Sequence, residues 1–403
     1  MRHSLSDIRV LEIGQVLAAP YAGMILGDLG ADVIKIESPH GGDSARNTPP
    51  HFYKGESIYF MALNRNKRSV AIDLTTEEGL KVFYALVGKS DVVIDNLRCG
   101  VLERLKIDHQ TLLAYNPLLI SCSINGYGSD TPDSDKPSFD LMIQAKGGGM
   151  SLTGEPDGPP VRMGISVSDH VAGIYAVTGI LAAIHERQHT KKGKRIEVPL
   201  LSTMISLLSY EAAFHLYSGD IPGPVGSSHR SLVPYSAVAT KDGNIVIDAH
   251  LPKFWSSLCK VLEIEDIEND PRFNSLEARG RNRQELMEIL NKEFCKKTSR
   301  EWLPILEAKG IPCATINDLQ GALTDPSTLA LNMVVDIEHK GVGLTFKTPG
   351  NPIRSFESQD QQQTSPPLLG EHTREILSEI LCYPEELIDR LVRDKAVSSS
   401  SAT

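Results

Sequence analysis

The N-terminal half of the chain reads as short apolar runs separated by longer amphipathic ones. Arg9-Val10-Leu11-Glu12-Ile13 has the length and apolar density of a buried strand. A loop from Gly14 to Ala19 follows, and Pro20 suits the first turn of a helix running to about Leu29. Ala31 to Glu37 reads as the next strand, and strand, helix and strand within about 30 residues predict a parallel β-α-β unit. The alternation continues with strands over 69–74, 91–95 and 118–124 and a helix over 76–87. The longest apolar stretch comes next. Val171, Ile174, Val177, Leu181 and Ile184 recur at helical spacing, and Ala172, Gly173, Ala176, Gly179, Ala182 and Ala183 fill the gaps, which predicts a helix packed closely and buried on several sides. Ser168-Asp169 marks its start, and Lys191-Lys192-Gly193-Lys194 ends it before a strand at Ile196-Glu197-Val198.

Beyond residue 218 the texture changes. Ser218 to Ser228 is rich in Gly, Pro and Ser and reads as an exposed connection. Strands are expected over 235–239 and 244–249, with Lys241-Asp242-Gly243 as the hairpin turn between them. Helices follow over 252–262, 281–296 and 299–309. From about 333 a polar-spaced β region leads to a linker at Gln361-Gln362-Gln363 and to helices near 373–381 and 384–393. The tail from Val397 to Thr403 is serine-rich and is expected to be disordered. The predicted fold class is α/β: a large domain with a doubly wound, mostly parallel sheet plus a smaller α+β domain. The division expected is 1–220, a Rossmann-like large domain; 221–330, the small domain; and 331–403, a segment returning to the large one.

Composition narrows the function classes. The 403 residues carry a formal net charge of −10, which disfavours a nucleic-acid binder. The six cysteines are scattered without a Cys-x-x-Cys pair, so neither a structural zinc site nor a disulfide framework is expected, and a cytoplasmic location is. No apolar signal core opens the chain and no run reaches the length of a membrane span, so no membrane association is expected.

Candidate chemistry is sparse when taken residue by residue. Ligands in open α/β sheets bind beyond the carboxyl ends of the strands, so 14–19, 38–46, 96–104 and 125–140 are the candidate binding loops. The first turn reads GQVLAA and lacks the glycines of a dinucleotide fingerprint. The basic run Asn64-Arg65-Asn66-Lys67-Arg68, with Arg98, Arg104 and Lys136, can meet a phosphorylated ligand or form a solvated surface. His185-Glu186-Arg187-Gln188-His189 spells H-E-x-x-H, but it falls beside a lysine-rich turn and a third ligand is not evident, so no metal is expected. Asp169, at the positive end of its helix, reads as a cap or as a catalytic carboxylate held as the anion.

Several stretches in order carry a resemblance. They are Gly27 to Glu37 (GDLGADVIKIE) with Gly42-Asp43, Asn64 to Ser69 (NRNKRS), Gly126-Tyr127-Gly128, Thr153 to Pro160, Asp169 in its helix, Ser231 to Tyr235, Lys241-Asp242-Gly243, and Pro366 to Thr373. Over nearly its whole length the chain resembles the class III CoA-transferases, the formyl-CoA and carnitine CoA-transferase type. It looks most similar to the succinate–hydroxymethylglutarate branch, which moves CoA between dicarboxylic acids. The resemblance implies that Asp169 is a nucleophile passing through an aspartyl anhydride and an aspartyl-CoA thioester. It places the CoA site on Leu17, Ala18, Ser38, Ile72, Asp73, Leu74, Thr75, Asn96, Leu97, Arg98, Arg104 and Lys136 to Asp140. It also implies acyl-CoA and a free carboxylic acid as substrates, no permanently bound cofactor, and an interlocked homodimer. There are departures. Leu17 stands where formyl-CoA transferase has glutamine, and Ser38 replaces a basic residue, which would move the nucleotide phosphate to Lys67, Arg46 or Arg65. Gly226-Ser227-Ser228-His229 takes the place of a glycine-rich substrate loop, so formate–oxalate exchange is not expected. The α-methylacyl-CoA racemases are also similar, but place a His-Asp pair where this chain has Phe139-Asp140, which removes one base of a two-base proton exchange. A non-catalytic CoA-binding protein is the third reading. His229 or Arg230 is expected to meet the far carboxylate of a dicarboxylic acid, the alternative being a packing contact in its loop.

Overall fold

The structure, a computed structural model, describes residues 4–339, 341–354 and 363–399. In chain order it begins with β1 (Arg9–Glu12), α1 (Ala18–Asp28), β2 (Asp32–Glu37), a small hairpin of β3 (Phe52–Tyr53) and β4 (Glu56–Ser57), α2 (Ile58–Leu63), β5 (Lys67–Ile72) and α3 (Glu77–Val87). Then come β6 (Val92–Asp95), the one-turn helices α4 (Val101–Arg104) and α5 (His109–Leu112), β7 (Ile120–Asn125), α6 (Asp140–Lys146), α7 (Val167–Thr190), β8 (Lys194–Pro199) and α8 (Leu200–Ser218). The strands expected from apolar density are all present. Two helices were not expected: α6, which opens inside the stretch read as a loop, and α8, which bends at Ser209 (φ 44°, ψ −115°).

The chain forms two compact units. One takes in Met150–Val161 and Gly219–Thr328. Its antiparallel sheet runs from β9 (Tyr235–Ala239) to β10 (Asn244–Asp248), with Ala239 opposite Asn244 across the expected Asp-Gly turn. On this sheet lie α9 (Pro252–Leu262), α10 (Leu276–Arg281), α11 (Arg283–Phe294) and α12 (Ser299–Ala308), then β11 (Cys313–Thr315) on the other side of β10, α13 (Leu319–Thr324) and α14 (Pro326–Ala330). Trp255, Phe273, Phe294 and Trp302 fill its core, and the buried Arg279 donates to the carbonyls of Val233, Phe273 and His250.

The other unit takes in the described residues up to Gly149, Arg162–Ser218, and those from Leu329 on. The late elements are the hairpin β12 (Val334–His339) and β13 (Leu344–Pro349), α15 (Thr373–Glu379), α16 (Glu385–Arg393) and β14 (Val397–Ser398). Among the described residues seven strands form one sheet in the order β14-β5-β2-β1-β6-β7-β8, with every pair parallel except β14 on β5. The expected disordered tail is therefore corrected in part. Val397 is buried against β5, and its apolar side chain gains more from the sheet edge than a free end would. Most of the glutamine-rich linker and residues 400–403 lie outside the described residues.

Successive residues on a strand face opposite sides, so each buried strand feeds two cores. Val10, Val33, Val92 and Ile94 pack with α1 and α7, while Leu11, Ile34, Val70 and Val93 pack with α3, α15 and α16. The sheet is covered on both faces. By first appearance the six parallel strands lie in the order 3-2-1-4-5-6, and the winding reverses between β1 and β6. α7 is long and apolar enough to cross a membrane on length and composition alone, but its small residues Ala172, Gly173, Ala176 and Ala183 are buried. Burial on several sides was expected, whereas Ile174 and Tyr175 stand on an exposed face.

Candidate active site

The letters that carry the resemblance build a buried charge network under the ends of β1, β2 and β5. Lys35 reaches Glu12 at 2.7 Å and Asp43 at 2.9 Å, and Lys67 reaches the other Glu12 oxygen at 2.7 Å. Arg46 forks onto Glu37 at 2.8 and 2.7 Å, and Arg65 onto Asp28 at 2.9 and 2.6 Å. These pairs correct one expectation. Lys67, Arg46 and Arg65, named as alternative phosphate contacts, are buried and already committed to carboxylates, and drawing one out would leave a charge uncompensated. Pro366 to Thr373 is tied to the same place: Gly370 N–H donates to Ser69 Oγ, and Arg46 donates to the Pro367 carbonyl.

A cleft opens where the winding reverses, as the strand order requires. One cavity of about 370 Å³ is lined by Gln15 to Ala18, Asn96 to Cys99, Val101, Ile124 to Gly126, Lys136, Phe139 and Asp169, among others. A second of about 260 Å³ shares Gln15, Leu97 and Val101 with it and continues past Ser38, Ile72, Asp73, Leu74 and Thr75. Twelve of the sixteen expected site residues thus fall on one groove although they come from six separate segments of the chain. The two loops at the reversal are stitched together. Asn96 Oδ1 accepts from Gln15 N–H at 2.8 Å and its amide donates to the Gln15 carbonyl at 2.7 Å. Below them Asp95, buried, accepts from Ser123 Oγ and Leu97 N–H, and burial pushes its pKa up to about 6.

Asp169 stands in the first turn of α7. Gly173, one turn on, lets α1 approach: a Cβ there would sit 3.0 Å from the Ala18 carbonyl oxygen. Asp169, on the same face as Gly173, is therefore set beside the start of α1. That start has no side-chain cap, and no group among the described residues accepts from the N–H of Leu17, Ala18 or Ala19. The cap role expected of Asp169 goes elsewhere. Asp140, buried at the start of α6, accepts from both N–H and Oγ of Ser168, at 3.0 and 2.6 Å, and from Gln144 at 2.7 Å. Burial, reinforced by Asp140, raises the Asp169 pKa to about 7. The expectation of a ready anion is thereby revised, because desolvation outweighs the helix-terminus field.

Four expected residues lie off the lining. Asp140 holds the start of α7 from behind, and Arg104 is exposed at the end of α4. The other two, His229 and Arg230, belong to the other unit. There His229 Nδ1 accepts from Ser231 and Leu232 N–H, its ring stacks on Tyr235 at 5.6 Å, and Arg230 donates to the Gly223 carbonyl. His185 and His189 pack edge to face on α7, and among the described residues no group of three His, Cys, Asp or Glu side chains could hold a metal. Gln15 and Val16 line the cavity within the loop expected at 14–19, though neither was singled out, and sequence reasoning missed Tyr59, whose hydroxyl is held protonated, its pKa pushed up to about 12 by burial and by Asp169, Asp43 and Asp140. The positive φ of Val16 (64°) has no signal in the letters.

A parallel doubly wound sheet with a cleft and a buried carboxylate at its switch point defines an α/β protein that binds its ligand there. The model of CoA-transferase family III matches residues 5–373, and the chain belongs to that family. It is 36% identical over 388 residues to the mouse succinyl-CoA:glutarate CoA-transferase, covering 96% of this chain and 89% of that one. It is 36% identical over 382 residues to the succinate–glutarate CoA-transferase of Agrobacterium fabrum, covering 93% and 95%. It is 35% identical over 384 residues to the succinyl-CoA:mesaconate CoA-transferase of Haloarcula hispanica, covering 93% and 96%. Among solved structures, a CaiB/BaiF family protein from Brucella suis aligns with a TM-score of 0.82 at 35% identity over 93% of this chain and 98% of that one. A hypothetical protein from Mycobacterium tuberculosis aligns with a TM-score of 0.81 at 30% identity over 92% and 98%. The protein is a class III CoA-transferase.

Proposed function

We propose that the enzyme transfers CoA from succinyl-CoA, or another dicarboxylyl-CoA, to a free dicarboxylic acid, with Asp169 carrying first the acyl group and then CoA. The observation that carries this reading is Asp169 in a cavity at the sheet's reversal, beside the unpaired N–H groups that open α1. The activities named for the similar enzymes support the substrate class. In the first step the Asp169 carboxylate attacks the thioester carbonyl; a C–O bond forms, the C–S bond breaks and CoA leaves as thiolate. The thiolate then attacks the aspartyl carbon of the anhydride, releasing the donor acid as carboxylate and leaving an Asp169–CoA thioester. The acceptor carboxylate displaces CoA to form a second anhydride, and the thiolate attacks the acceptor's acyl carbon, restoring Asp169. Protons and electrons balance without another reactant. Each attack creates an oxyanion, and the N–H groups of Leu17 and Ala18 are suited to receive it.

Arg98 and Lys136 are the cations on the cavity lining and supply charge for the CoA phosphates. For the far carboxylate of the acid the candidates are His229 and Arg230. His229 Nδ1 accepts two backbone N–H bonds, which leaves Nε2 as the proton-bearing donor. Unaltered KM values for dicarboxylates in both alanine variants would remove them. Racemase chemistry has less support, since no histidine lines the Asp169 cavity among the described residues. A homodimer is supported by the exposed apolar side chains Ile174, Tyr175, Ile205, Tyr210 and Phe214 on α7 and α8, and light scattering tests it. The decisive experiment incubates the enzyme with succinyl-CoA and a panel of free acids and reads the CoA products by mass spectrometry. Transfer to dicarboxylates, with hydroxylamine trapping at Asp169, supports the reading; α-proton exchange without a second acid overturns it.

A further inference from the structure

Val16 is the one lining residue whose backbone lies in the left-handed region (φ 64°), among the described non-glycine residues that line this cavity. For a β-branched side chain that conformation is unfavourable and persists only where neighbours impose it. Here five backbone polar groups around it are held. The Gly14 carbonyl accepts from Lys35 Nζ at 2.8 Å, both polar groups of Gln15 bind Asn96, Val16 N–H donates to Asp43 Oδ1 at 2.9 Å, and the Leu17 carbonyl accepts from Tyr21 N–H at 2.7 Å. The next N–H groups, of Leu17 and Ala18, are the ones that remain unpaired on the cavity with Asp169. The strained residue thus separates a turn pinned at Gly14, Gln15 and Val16 from a pair of unpaired donors.

Asp43 is itself fixed from every side. Its Oδ2 meets Lys35 at 2.9 Å, its Oδ1 also accepts from Ala45 N–H at 2.9 Å, and its own N–H donates to Glu37 at 3.0 Å. Lys35 continues through Glu12 to Lys67, which donates at 2.8 Å to the Pro20 carbonyl in the first turn of α1. The buried ion chain therefore holds α1 at Pro20 and the turn before it at Val16. Gly23 allows this approach, because a Cβ there would lie 2.1 Å from Glu12.

We propose that Asp43 is a positioning residue for the transfer reaction: by binding Val16 N–H it keeps Val16 left-handed and so directs the Leu17 and Ala18 N–H groups at the oxyanion formed when Asp169 attacks. The inference rests on the Asp169 reading above and adds a residue that touches no substrate. Its effect falls on the transition state, because the oxyanion exists only there.

The test is a double-mutant cycle between positions 43 and 16. Glycine adopts the left-handed region unaided, so Val16→Gly removes the need for the Asp43 hold. Asp43→Ala is expected to lower kcat about 30- to 100-fold while KM for succinyl-CoA stays within about threefold, the size of effect seen when an oxyanion donor is misplaced. Adding Val16→Gly is expected to restore kcat at least about tenfold, a coupling that additive, independent sites do not show. Should Asp43→Ala fail to fold because Lys35 loses its partner, the same comparison is made between Lys35→Met/Asp43→Leu, which removes both charges, and that pair with Val16→Gly. Additive losses with no recovery, or an unchanged kcat in folded Asp43→Ala, overturn the proposal. Asp169→Asn separates the two levels: an active Asp169→Asn fails the reaction scheme itself, whereas an inactive Asp169→Asn beside a fully active Asp43→Ala fails only the role of Asp43.

Discussion

Two sets of buried or half-buried acids lie at the same end of the sheet, and they behave in opposite ways. On the β1–β2–β5 side, Glu12, Asp28, Glu37 and Asp43 each face a lysine or arginine within 2.9 Å. Glu37 and Asp43 are held below the ordinary carboxylate range: burial opposes this, but Arg46 and Lys35 with their hydrogen bonds overcome it. On the α7 side, burial and then the Asp140 charge act on Asp169, no cation pairs with it among the described residues, and its pKa is raised to about 7. The residue types are identical. A buried carboxylate with a cation serves the fold; one without a cation stays costly as an anion, and a costly anion is one that gains by forming a covalent bond.

The sharpest break in this contrast is Asp169→Asn, which removes the nucleophile and keeps the shape. It is expected to lower kcat by a factor of about 10⁴ or more, equivalent to roughly 5.5 kcal/mol, in a succinyl-CoA exchange assay, with succinyl-CoA still bound. Next comes the paired side. Arg46→Met leaves Glu37 buried beside an apolar group and is expected to cost about 3–5 kcal/mol in urea unfolding, far more than removal of a surface pair. The third effect is on pH. Only the Asp169 anion attacks, so kcat should rise about tenfold per pH unit up to about pH 7 and level off above it, and the Asp169 limb is read from single-turnover acylation at fixed saturation.

The same acid gives a smaller effect on stability, with a defined sign. The folded Asp169 pKa, about 7, lies above its ordinary value of 3.8, so the native state binds the extra proton and ionisation opposes folding above that range. Asp169→Asn is therefore expected to raise Tm by a few degrees at pH 8, with the gain shrinking as pH falls and absent below about pH 4. An unchanged Tm at both pH values would show that the carboxylate is solvated in the assembled enzyme. The smallest effect is at the cleft mouth. Lys136, 59% exposed, pairs with Asp133, and Lys136→Ala is expected to raise KM for acyl-CoA about two- to fivefold, less at high salt.

The order of strands and helices was legible because buried parallel strands are short apolar runs and their connecting helices are periodic, and both patterns are local. Leu17 and Asn96 lie in loops that position alone marked, since ligands bind beyond strand ends, whereas Thr75 was reached only through the family resemblance. Arg65 and Lys67 could not be sorted in that way. A basic run before a strand looks the same whether its side chains reach a phosphate or a buried aspartate, and only packing brought Asp28 and Glu12 to them. Asp140 shows the same limit. Its place in the chain pointed to the ligand, while the fold turned it onto Ser168.

What this sequence determined by itself is the alternation of elements, the small-residue face of α7 that admits α1, and the family to which the ordered motifs belong. Each depends on residues near one another in the chain or on their order. What only the tertiary structure decided is which acids keep a counter-charge: Glu12 and Asp43 meet lysines from other strands, and Asp169 meets none among the described residues. The physical reason is that charge pairing and desolvation depend on distance in space, to which a linear pattern of residues is blind.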